Sequence, residues 1–228
     1  MMPSSPFGRR IWRLVFRNDC PIVRVPVAPE KNITVLRPAL SGATLAIALV
    51  AGLLFCWPAL NRFFIYDRAM ILHGQIWRGW TGHVVHYSAS HLLWNLAVFV
   101  TAGCWLEYIR PRSARWFYLL CPPVIAAALL IAEPTLEYYA GLSGVATGVL
   151  VFLGCVQLSE NNAEPTWFWV AVFGLVVVKI ALETVTHVPL LVSESPSFRV
   201  VPLAHISGAG CGILAWVITR PPPAVAPE

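Results

Sequence analysis

The stretch "YYAGLSGVATG", residues 138 to 148, sets a serine between two glycines at the head of an apolar run. A helix that merely crosses lipid would carry leucine at that point. A hydroxyl inside hydrocarbon is costly and calls for a partner or a task. Gly144 and Gly148, four residues apart, leave one side of the same run without side chains.

Around this stretch the chain is strongly apolar. Of its 228 residues 57% are hydrophobic and 12% charged, against about a quarter charged in soluble domains. Apolar runs near the roughly 20 residues needed to cross a bilayer recur along it. Six are read, at about 39–60, 90–108, 114–132, 141–158, 166–183 and 203–219. Lipid satisfies no backbone hydrogen bond, so these runs predict helices. The expected fold is all-α, a polytopic six-helix membrane bundle over 39–219. The first run starts near residue 39, is too long for the apolar core of a signal peptide and shows no cleavage site, which argues against a secretory signal.

Residues 1–38, proline-rich and basic, read as an irregular cytoplasmic arm, and 220–228 as a flexible tail. Seven cations precede span one, Arg110, Arg112 and Arg115 follow span two and Arg220 follows span six, whereas the opposite loops hold Arg62, Arg68, Arg78 and Arg199. Eleven against four places both termini in the cytoplasm. The net charge of +5 is therefore a topology signal and requires no nucleic acid. The loop 61–90 is too polar to span and too aromatic to be idle, and is expected at the outer interface. Pro122 and Pro123 predict a kink in span three or a later start. Five of the six cysteines lie in spans without a CxxC pair and read as packed thiols.

Polar residues cluster where spans two, four and six begin. His91 and Asn95, four apart, share a helix face. Ser143 opens span four, and His205 lies in the first turn of span six within "AHISGAGCG". Ala204, Gly208 and Gly212 form a small-residue stripe that can pack against Gly144 and Gly148 backbone to backbone. Such an approach brings Ser143 and His205 within reach, as a serine nucleophile and its general base require. The helix start supplies free N–H groups for an oxyanion, and His91 and Asn95 could add donors worth on the order of 3 kcal/mol each.

These residues resemble the rhomboid family of intramembrane serine proteases. The shared features are Trp77 and Arg78 in the outer loop, His86, His91 and Asn95 at their spacing, Glu107, "GLSG" at 141–144, and Ala204, His205, Gly208 and Gly212. The resemblance implies Ser143 as nucleophile and His205 as base of a dyad without a carboxylate. It puts His91, Asn95 and the Ser143 backbone at the oxyanion, with His86 and Gly141 beside the substrate. Trp77, Arg78, Glu107 and the glycines are structural by the same likeness. "WRGWTGHVVH" and "YYAGLSG" are most similar to the rhombosortase branch, bacterial inner-membrane enzymes thought to remove Gly-Gly-containing C-terminal anchors from exported proteins. Two positions depart from the pattern. Gly82 stands where many rhomboids have a histidine, with His83 beside it, and Thr147 stands four after the serine, where tyrosine or histidine supports the imidazole.

Other readings accompany these. Serine at a helix start is usually a cap. Trp77 and Arg78 are interfacial anchors, Glu107, with Arg110 close by, is a structural ion pair or a loop clasp, and Lys179 pairs with Glu183. His73, His83 and His187 are surface or interfacial histidines. A haem or metal protein is the runner-up class, but His83, His86 and His91 miss the i, i+4 ligand spacing and no HExxH occurs. A rhomboid-like scaffold that binds membrane helices without cutting them is the third. The favoured enzyme uses no metal or cofactor. Its partners are transmembrane substrates and the bilayer, with the site open to the outer face between spans two, four, five and six.

Overall fold

A computed structural model describes residues 42–160, 165–186 and 200–220. The arm expected over 1–38, the tail beyond Arg220, and His187 and Arg199 lie outside the described residues. The fold is helical, with α1 (Gly42–Cys56), α2 (Pro58–Phe64), α3 (Arg68–Leu72), α4 (Arg78–Thr81), α5 (Ala89–Ile109), α6 (Pro111–Ala132), α7 (Ser143–Ser159), α8 (Thr166–Thr186) and α9 (Pro202–Thr219). Helices α5, α6, α8 and α9 are each long and apolar enough to cross a membrane. The broken α1–α2 pair, taken as one span, brings the candidates among the described residues to five, against six expected, and α7 is a shorter apolar helix at the place of span four.

Four boundaries differ from expectation, among them the end of span five, which runs on to Thr186. Span one does not continue to residue 60, because the chain bends by 119° between α1 and α2. Pro58, lacking an N–H, stands at the first position of α2, where that loss costs nothing. Span three starts earlier, at Pro111, and runs as one helix through Pro122 and Pro123. In an α-helix the residue four beyond Leu119 would donate to its carbonyl, but Pro123 cannot. The indole Nε1 of Trp80 takes that place, donating to the Leu119 oxygen at 2.8 Å. Span four begins at Ser143 instead of 141.

The loop 61–90, expected at the outer interface, is structured. Strand β1 (Tyr66–Asp67) pairs antiparallel with β2 (Tyr138–Tyr139), tying the loop to the segment just before α7. Arg78 does not snorkel. It is 5% exposed and donates to Gln75 Oε1 and to the Ile65 carbonyl, both at 2.8 Å. Trp77 is half exposed and donates to the Phe63 carbonyl. A Cβ on Gly82 would lie 2.7 Å from the Tyr66 amide nitrogen, so no histidine fits there.

Glu107 is fully buried, and its partner is not Arg110, which pairs with Glu160. Its carboxylate accepts from the Ala43 and Thr44 amides and the Thr44 hydroxyl at 3.2, 3.0 and 2.9 Å, with Arg115 Nε at 3.6 Å. It thereby satisfies the free N–H groups and positive dipole end that open α1. The core lies between α5, α6, α7 and α9 and contains Phe99, Leu106, Ile125, Leu129 and Phe152.

Candidate active site

The glycine stripes meet as expected. A Cβ on Gly144 would stand 2.8 Å from the Ala204 carbonyl oxygen, and one on Gly148 would stand 2.5 Å from that of Gly208. A Cβ on Gly208 would overlap the Gly144 carbonyl, and one on Gly212 the Gly148 carbonyl. Helices α7 and α9 therefore touch through main chain, which only glycine and alanine allow. Ser143 and His205, each one residue from the Gly144–Ala204 contact, are neighbours at one end of this seam.

Ser143 is half-buried and is the first residue of α7. The cap is Leu142, without a side-chain hydrogen bond, so the serine hydroxyl is not consumed as a helix cap. The turn before it depends on Gly141, whose φ of +124° suits glycine. A Cβ there would also strike the His91 imidazole at 2.6 Å. His91 and Asn95, both buried on one face of α5, thus press against the backbone two residues before Ser143. Asn95 Nδ2 lies 3.6 Å from that same point and has no acceptor among the described residues.

His86 holds the approach to α7. Its Nδ1 lies 3.2 Å from the Val84 carbonyl, and its Nε2 accepts from the Leu142 amide at 3.4 Å. That pairing assigns the Nδ1–H tautomer. Burial, reinforced by nearby His91, lowers its pKa to about 3, so it is neutral at physiological pH. The His86 and His91 rings meet edge to face at 5.1 Å. His83 is not at the surface. It is 2% exposed, its Nε2 lies 3.1 Å from the Pro122 carbonyl, and burial lowers its pKa to about 4. It braces the loop against α6 and packs on Tyr139.

His205 is buried in the first turn of α9. No hydrogen bond joins it to Ser143 in this state, and catalytic contacts in unliganded enzymes are often long or misaligned. Two neighbours were not anticipated. The Tyr139 phenol donates to the Gly141 carbonyl at 3.1 Å and faces the Ser143 side chain. Burial raises its pKa, which keeps it protonated as a donor. Glu183 Oε2, on α8, lies 3.1 Å from His205 Nδ1 while also accepting from Lys179 Nζ at 2.7 Å. The Thr147 hydroxyl donates to the Ser143 carbonyl at 2.8 Å. Among the described residues no three His, Cys, Asp or Glu side chains converge in a metal-holding group.

The Rhomboid domain family model matches residues 73–222, from the outer loop to beyond α9. No curated protein matches the chain significantly.

Proposed function

The chain belongs to the rhomboid family, and from that premise we propose that it is an intramembrane serine endopeptidase with Ser143 as nucleophile and His205 as general base. The observation that supports this reading most is the main-chain contact between Gly144 and Ala204, the residues that adjoin Ser143 and His205 in sequence. The Ser143 oxygen attacks a substrate carbonyl while its proton passes to His205 Nε2. The tetrahedral oxyanion is met by the Ser143 amide, Asn95 Nδ2 and the His91 ring. His205 returns the proton to the leaving amine, and water then releases the acyl enzyme. Gly141 allows close approach of His91 and Asn95, and His86 holds the Leu142 amide beside them.

The substrate is another transmembrane segment, one whose helix is weakened by glycine or proline so that its backbone can be reached. The outer-loop and serine sequences favour the rhombosortase branch, and with it removal of Gly-Gly-type C-terminal anchors from exported proteins. The cation asymmetry supports a multi-pass protein of the bacterial inner membrane with cytoplasmic termini and a site facing outward. Co-expression with a protein bearing such an anchor gives a shortened product on this reading, and Ser143→Ala gives none. Equal cleavage by Ser143→Ala removes the assigned nucleophile. A non-cutting scaffold is separated by fluorophosphonate labelling, which the protease shows and Ser143→Ala lacks.

A further inference from the structure

A glutamate facing an apolar helix bundle needs a reason, because a carboxylate there is expensive. The ion pair with Lys179 is not sufficient. The lysine side chain is 34% exposed, whereas that of Glu183 is 3% exposed and turned inward against His205, itself 6% exposed. Glu183 and Trp169 are the buried residues of α8, so the helix presents this carboxylate to the bundle as one of its two deep contacts. The contact is to Nδ1, which leaves the other ring nitrogen for the Ser143 proton. At 3.1 Å the carboxylate oxygen is within hydrogen-bonding distance of Nδ1.

We infer that Glu183 is the positioning residue of a Ser143–His205–Glu183 triad, a deepening that rests on the dyad reading given above. A carboxylate at Nδ1 fixes the imidazole tautomer with its proton on that nitrogen and keeps Nε2 free as the base. It also stabilises the imidazolium that forms when Ser143 gives up its proton. Glu183 takes no proton itself. Thr147, which might have supported the ring from α7, is engaged with the Ser143 carbonyl, so support comes from α8 instead. The titratable groups around His205 are Glu183 and Lys179 from α8 and His91 from α5, with His86 behind His91. Its α7 neighbours, Ser143 and Gly144, are uncharged.

The test uses the full chain in liposomes, with fluorophosphonate labelling rate and cleavage of a Gly-Gly-anchored reporter as readouts. Glu183→Gln is expected to lower both the labelling rate and kcat by about 10² to 10⁴-fold with KM changed less than about threefold. Its thermal midpoint stays near that of the parent. The acid limb of its pH–rate profile moves about 1 pH unit lower, because a negative charge beside the imidazole is gone. Glu183→Asp recovers part of the rate. Lys179→Met combined with Glu183→Gln separates the two partners of the carboxylate. If Glu183 positions His205, the double variant is as impaired as Glu183→Gln alone. A double variant restored to the parent rate, or a Glu183→Gln within about threefold of it, overturns the triad while leaving the dyad intact. Undiminished labelling of Ser143→Ala is the separate result that removes the dyad itself.

Discussion

The two helices that flank α7 near the serine are held in opposite ways. Helix α9 buries Ala204, His205, Gly208 and Gly212, and three of these four are the small residues of the seam. Its closest contacts with α7 are carbonyl against glycine, main chain to main chain. Helix α8 buries Trp169 and Glu183, a large ring near one end and a carboxylate near the other, and turns most of its remaining side chains outward. In lipid no hydrophobic gain draws helices together, so close packing and polar contacts decide how firmly each is held. A main-chain seam permits one distance, whereas a helix that rests on long side chains, Trp169, Phe173 and Glu183, can shift as they change rotamer. Ser143 and His205 lie on the rigid pair, and the group proposed to orient His205 lies on the looser helix.

The hardest blow to this contrast comes through the seam. Gly208→Ala places a methyl group on the Gly144 carbonyl, and backbone against backbone has no cheap way to yield. The expected cost is about 3 kcal/mol, with cleavage lost together with the serine–histidine alignment. Thermal unfolding and reporter cleavage of the purified variant check it. Near-normal activity would mean that the two helices can part and that the seam does not set the site.

Trp169→Ala addresses the other side with a smaller expected effect. The indole packs on Trp105 at 5.5 Å and beside Gly154, where a Cβ would lie 3.2 Å from the ring. Lipid offers an apolar replacement for the lost contacts, so the stability cost is expected at ~1–2 kcal/mol rather than the 3–5 typical of soluble cores. Cleavage should fall about tenfold as α8 loosens and Glu183 holds His205 less well, on the tenfold-per-1.4 kcal/mol scale. Unfolding as severe as that of Gly208→Ala would show α8 to be as fixed as α9.

The same contrast explains what could be read from sequence. The seam was legible because spacing by four in two runs is a property of each helix alone, and so was the shared face of His91 and Asn95. Tertiary partners were not. Glu107 has cations three and eight residues away, yet its principal partners are amides more than sixty residues distant. Glu183 has Lys179 one turn back, which satisfied a local reading and hid His205. The available signal was an acidic residue inside a span carrying one other charge, which a local pair does not fully justify. Pro122 and Pro123 announced missing donors, but nothing nearby in the chain indicated that Trp80 would replace one. The bend before α2 had its signal in Pro58, and the span length obscured it.

The smallest expected effect belongs to Thr147, and its smallness is informative. The resemblance assigns imidazole support to that position, four residues after the serine. Here its hydroxyl bonds the Ser143 carbonyl one turn back, a local bond that helix interiors tolerate and that contributes little. If α8 supplies the support through Glu183, Thr147→Ala removes nothing the imidazole uses. Its cleavage rate should stay within about twofold of the parent, a difference below ~0.5 kcal/mol. A loss of tenfold or more would return the support of His205 to α7. Helix α8 would then be left with only a lysine–glutamate pair near its C-terminal end, and the division between a rigid seam and an adjustable neighbour would no longer coincide with the chemistry.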